Sequence, residues 1–230
     1  MTTGKFANFI AGAVLVSWCL FQADVRAQTT QSIQVGLVSW PLDKTHSSSA
    51  LGGDIEECLV SRIHDVAPEI VLIPQRAIRD ALFPLLEPAT APETEEEFAA
   101  LLSREEVRRR LSSRGLRYLV AFAGGTMRPD WKGGILCGAG GAGSGPVGGG
   151  GCFGFAWQDE TTALSATVWS LADASVAQRE DAKAEGTSVV PAFLLPVPIL
   201  AHTRQSACNE LGSRVALAIR KAVSENPARQ

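Results

Sequence analysis

Cys137 and Cys152 bracket a stretch in which glycine outnumbers every other residue, while Cys58 and Cys208 stand far from it and from each other. In a compartment where thiols oxidise, an even set of four cysteines reads as two disulfides. Three connectivities are open. Nearness along the chain favours Cys137 with Cys152, and elimination then leaves Cys58 for Cys208. The other reading of the second pair is two buried, unpaired thiols, because each falls on the apolar face of its own predicted helix.

The remaining reactive side chains do not assemble into a recognisable catalytic or metal-binding pattern. His46, His64 and His202 are scattered, and no HxH, HExxH or CxxC spacing supplies metal-ligand geometry. Cys58 and His64 are six residues apart, which on a helix turns them to different faces, so the imidazole has no line to the thiol proton. The run from Gly138 to Gly143 satisfies GxGxxG, yet no helix follows it and no phosphate-binding lysine lies near, so it is not read as a cofactor loop. Ala142 and Pro146 occupy the glycine positions of a GxSxG elbow around Ser144. The sequence predicts no enzyme, no cofactor and no metal. Phe153, Phe155 and Trp157 remain: alternating with Gly154 and Ala156, they put three aromatic rings on one face of a strand. That face is either part of the core or an exposed strip that holds a partner protein or a glycan.

The compartment is set at the N-terminus. Lys5 precedes an uncharged apolar run over 9–21, and Val25-Arg26-Ala27 fits a signal-peptidase site, so residues 1–27 read as a signal peptide cleaved before Gln28. Lipid attachment at Cys19 is the competing reading; Trp18 sits where a lipoprotein box needs a small residue. Lys5, Arg26 and Asp24 leave with the leader, so of 21 basic and 24 acidic residues 19 and 23 remain, a net charge of about −4 that gives nucleic acid no reason to bind. The apolar run over 189–201 carries Pro191, Pro196 and Pro198, and no spanning segment is expected after cleavage. Residues 28–230 are read as one periplasmic domain.

Periodicity supplies the elements of that domain. Ile33, Val35 and Leu37 alternate as a first strand, and Asp54 with Glu57 opens a helix that Pro68 stops. Ile70 to Ile73 reads as a central strand buried on both faces, and a second helix starts near Arg76. The acidic run over 93–97 sits at a helix N-terminus, and Ser103 with Glu106 makes another capping pair before Gly115 ends the helix. Tyr118 to Ala123 is the next strand, residues 133–151 form an exposed glycine-rich loop pinned by Cys137 and Cys152, and 153–157, 164–171 and 176–184 are further strands. Cys208, Leu211, Val215, Ala218 and Ile219 share one face of the last helix. The predicted fold is an α/β (α+β) sandwich, a mixed sheet of about five strands packed by three to four helices.

The pieces Arg114-Gly115-Leu116-Arg117-Tyr118-Leu119-Val120 and Ala163 to Leu171, a glycine-stopped helix entering an apolar strand and a later strand pair with a short turn, carry a resemblance over residues 32–222. The chain resembles the N-terminal domain of TolB, the curli-secretion lipoprotein and the lipoprotein activators of penicillin-binding proteins. The glycine-rich insert and the proline-punctuated run depart from that pattern. The resemblance implies a non-enzymatic accessory or assembly protein that works by contact with other envelope proteins. The alternatives are a secreted hydrolase acting on envelope polymers and a homo-oligomeric structural subunit at the outer membrane.

Overall fold

Gly115 is where the helical half of the molecule hands over to its sheet. It ends a helix with φ +75, the left-handed conformation that L side chains avoid, and the chain turns directly into a strand. In this computed structural model the described residues are 32–39, 53–87, 90–138 and 151–225. The predicted leader, Cys19, Trp40, His46, Ser144 and the glycine run 139–150 lie outside them.

The described elements run β1 (Ile33–Ser39), α1 (Gly53–Val66), β2 (Ile70–Ile73), α2 (Gln75–Leu82), α3 (Glu95–Ser103), α4 (Glu105–Ser112), β3 (Leu116–Met127), β4 (Lys132–Gly138), β5 (Gly151–Ser170), β6 (Ser175–Leu194) and α5 (Thr203–Glu225). β1 pairs in parallel with β2 on one side and β3 on the other, and β3, β5 and β6 continue antiparallel. The result is an α+β fold with a mixed sheet and helices on both faces. α1 and α5 cover one face through Ile55, Leu59, Ile63, Leu211, Val215 and Ile219, packed on Val35, Val120 and Val168. α2, α3 and α4 cover the other through Ile78, Phe98, Leu102 and Leu111, packed on Leu119, Ala121 and Trp169. Strand alternation assigns the faces: Leu37 belongs to the first core and Val38 to the second.

Close approaches are made at glycine. A Cβ on Gly212 of α5 would lie 2.9 Å from Cβ of Arg62 on α1, so glycine is what allows these helices to touch. The disulfide between Cys58 and Cys208 then joins them, and Cys137 is bonded to Cys152. The reading of Cys58 and Cys208 as free thiols is not realised.

Several expectations are corrected. β2 is the edge strand of the sheet rather than a central one, with Val71 43% exposed. Five helices are described, not three to four, because Arg104 breaks the acidic segment into α3 and α4. Ser103 caps nothing: its hydroxyl donates back to the Ala100 carbonyl at 2.8 Å, while Thr94 caps α3 by accepting from the Glu97 amide at 3.2 Å. Residues 132–138, expected within or beside the loop, form β4, each residue facing a partner on β5 from Lys132↔Trp157 to Gly138↔Gly151. The segments 153–157 and 164–171 are one continuous strand, and β6 runs on through Pro191 to Leu194 instead of ending near Ala184.

Candidate functional site

β3 and β4 lie end to end along the same edge of β5, since β6 occupies the other edge over its whole length. Where β3 passes into β4, the four residues 128–131 stand opposite the three residues 158–160, a bulge that contains Pro129, which has no amide hydrogen for the ladder. Beyond this bulge no helix among the described residues covers the sheet: neither hydrophobic core contains a residue of β4, of 151–157 or of 187–200. β4, the first part of β5 and the end of β6 therefore form a three-stranded arm. After Leu194 the chain turns back along the outer edge of β6, with antiparallel bridges Ala192↔Pro196 and Val189↔Ile199.

Register places the side chains of the arm in cross-strand rows. On one face Leu136, Phe153 and Phe193 share the outermost row of large side chains, inside the Cys137–Cys152 and Gly138–Gly151 pairs, Gly134, Phe155 and Pro191 the next, and Lys132, Trp157 and Val189 the one nearest the body. Phe153 and Phe193 meet edge to face at 5.9 Å, and Phe155 lies 5.7 Å from Trp157. Trp157 is half-buried because its indole rests on Gly133, where a Cβ would come within 2.8 Å of the ring. The aromatic strip is thus not part of the core. Leu136 is 84% exposed, Phe153 72%, Phe193 70% and Leu195 77%, with Phe155, Val197, Ile199 and Leu200 at about half or more. Of the other tryptophans, Trp131 is half-exposed at the bulge, and Trp169 is buried against Phe98 at 5.6 Å.

At the root of the arm the chemistry changes sign. Glu160 is buried and accepts from Nε and Nη2 of Arg128, at 2.9 and 3.2 Å, and from the Thr203 hydroxyl at 2.6 Å. The hydroxyls of Thr203, Thr162 and Thr126 continue the chain in 2.9 Å steps. Burial pushes the Glu160 carboxyl up, but the hydrogen bonds from Arg128 and Thr203 and the charges of Arg128 and Arg204 outweigh it and hold it below its ordinary value. A cavity of about 300 Å³ opens beside it, lined also by Asp54, His202, Arg204 and the Cys58–Cys208 disulfide. Asp54 in this cavity is itself turned to an ion pair with Arg204 at 3.8 Å and is mostly exposed. Next along the strands, Lys132 pairs with Asp159 at 3.0 Å.

Glu160 is locked as a carboxylate by its hydrogen bonds, which suits it to hold Arg128 and α5 in place and not to deliver a proton. His64 and Cys58 take no part in a shared site, since Cys58 is bonded to Cys208 and His64 is exposed further along α1. Among the described residues no three His, Cys, Asp or Glu side chains gather where a metal ion would sit, and no helix is long and apolar enough to cross a membrane. Two disulfides are the chemistry of an oxidising compartment outside the cytoplasm. Sequence reasoning missed Glu160, Arg128 and Thr203. The visible signal was the Asp159-Glu160 pair ending the charge-free run 151–158, opposite an Arg-Pro bulge.

No protein-family model matches the chain, and no curated protein matches it in sequence. Solved structures to which it is similar include two of the PelC dodecamer from Paraburkholderia phytofirmans, one a point variant, at 8% and 9% identity and a TM-score of 0.35, covering 83% of this chain and 90% and 88% of theirs. A neuraminyllactose-binding hemagglutinin homolog from Helicobacter pylori is similar at 7% identity and a TM-score of 0.32, with 84% of each chain covered. Likeness this slight carries no inference from what those proteins bind or assemble.

Proposed function

We propose that this chain is a non-enzymatic accessory or assembly protein of the cell envelope, which acts by contact with other envelope components, proteins among them, at the end of its β arm. One observation carries the reading: a framework of three strands, clamped by the Cys137–Cys152 bond, holds a row of large apolar side chains in water with no layer of its own chain, among the described residues, to cover them. Exposing this much contiguous apolar surface costs solubility, and such patches mark interaction sites. The resemblance to TolB, to the curli-secretion lipoprotein and to the activators of penicillin-binding proteins supports the same role. The predicted signal peptide supports placement in the periplasm.

A photo-crosslinking residue at position 136 tests this in the exporting cell, with one at position 217, another exposed leucine outside the arm, as the control. Adducts with envelope components from position 136 and not from 217 are expected, together with loss of any envelope phenotype on substituting Phe153 and Phe193 by serine. The same adducts from both positions, or none from position 136, overturn the reading. A homo-oligomeric subunit is the second reading: the outer edge of β4 has no strand partner among the described residues, and an open edge pairs readily with another copy.

A further inference from the structure

We infer that the component held by the end of the arm is a lipid surface, into which the outer rows of the arm dip while the body stays in water. The inference rests on the contact reading above and names its partner.

Charge decides between lipid and protein. Residues 133–138, 151–157 and 186–201, which build the described arm and its return segment, contain no acidic, basic or histidine side chain, and their two cysteines are bonded to each other. Protein interfaces carry a polar rim and about one hydrogen bond per 100–200 Å². The described side chains of this end offer almost none of that: the Thr187 hydroxyl donates to Asp159 at 3.1 Å, and Ser188 is buried with its hydroxyl accepting from the Ala201 amide at 2.9 Å. Side chains with nothing to direct a partner suit a fluid apolar phase.

Dimensions agree. Strand residues rise about 3.4 Å each, so the Phe155 row lies about 7 Å and the Lys132–Trp157 row about 14 Å behind the Leu136–Phe153–Phe193 row. Interfacial elements bury roughly 5–10 Å into the headgroup and acyl boundary. The Leu136–Phe153–Phe193 row itself lies about 7 Å behind the last described pair, Gly138 with Gly151, so insertion to that depth submerges Leu136, Phe153 and Phe193 and leaves the Lys132–Asp159 ion pair in water. The chain also blocks one route to self-association, since Pro196, Pro198 and the bridges at Val189 and Ala192 cover the outer edge of β6.

The test is co-sedimentation of the purified, disulfide-bonded protein with vesicles of phosphatidylcholine alone and of phosphatidylethanolamine with phosphatidylglycerol. Tryptophan emission and its quenching by acyl-brominated lipid are followed in parallel. Binding is expected to both vesicles, to persist in about 0.5 M salt because no charge drives it, and to fall at least about tenfold in Phe153→Ser/Phe193→Ser. Leu217→Ser should bind like the parent. The inference is overturned by absence of binding to either vesicle, by binding that the paired substitution leaves intact, or by self-association that this substitution abolishes without vesicle binding. If position 136 still crosslinks to a protein while vesicles are ignored, contact at the arm stands and lipid as its partner falls; if both fail, the contact reading fails with it.

Discussion

Replacing Cys58 and Cys208 together by alanine should cost this protein more than replacing Cys137 and Cys152. The first bond closes a sequence separation of 150 residues and the second one of 15. In the chain-entropy treatment, freeing the unfolded chain of these constraints removes about 5 kcal/mol and about 3 kcal/mol of stability, respectively. Structure widens the gap. Cys208 is fully buried between α1 and α5, within the core that contains Leu59, Ile63, Leu211 and Val215, so alanine there also leaves a small void; Cys137 is exposed on the arm, outside both cores. Against a typical total of 5–15 kcal/mol the first loss is large enough to leave the domain barely folded at 25 °C. Urea unfolding of the oxidised parent and both paired variants, followed by circular dichroism at pH 7, reads the difference. Equal losses, or a larger loss from the Cys137–Cys152 pair, would refute the view that α1 and α5 belong to the cooperative core and the arm is an appendage to it.

Other outcomes follow from the root and the arm. Glu160→Gln should destabilise the protein at pH 7 by about 1.5–3 kcal/mol, the value of a hydrogen bond to a charged group, and not by the larger penalty of an orphaned buried charge, because Arg128 is half-exposed and can turn to water. Since the Glu160 carboxyl is held below its ordinary value in the folded state, its stabilisation is present above the unfolded pKa of about 4.3 and is lost as pH falls through the lower folded value. The gap between parent and Glu160→Gln in urea titrations should therefore close under acid, and a gap independent of pH would remove the ion pair as its cause. Gly154→Ala should loosen the arm by about 1–3 kcal/mol, because φ there is +152 and a Cβ would meet the Gly134 carbonyl oxygen at 2.3 Å. Faster amide exchange in β4 with an unchanged rate in β1 is the expected signature. Phe153→Ser/Phe193→Ser should change global stability by no more than about 0.5 kcal/mol, since both rings are exposed; a large drop in the unfolding midpoint would show that they are packed.

Elements whose information is local are legible in the amino-acid sequence. β1, α1 and α5 follow from apolar spacing, Gly115 from the need for a left-handed stop, and the Cys137–Cys152 bond from proximity along the chain. β4 is not legible there. Glycine has little strand preference, and Gly133 and Gly134 become strand only because β5 presents a continuous ladder in register with them. β2 reads as central because an unbroken apolar run looks alike in the middle and at the edge of a sheet, and pairing order alone distinguishes the two.

The site divides in the same way. Sequence by itself determined that Phe153, Phe155 and Trp157 share a face, because side chains alternate along any strand. It also determined that the segments around them are free of charge. Only the tertiary structure decided that no other described layer covers this face: β5 is 20 residues long, and the described helices cover the sheet only as far as the bulge at 128–131. Alternation says which side chains point together and is silent on whether another layer lies over them. The Glu160–Arg128–Thr203 cluster has the same origin, since residues 32 and 43 positions from Glu160 meet only once β3, β5 and α5 are packed.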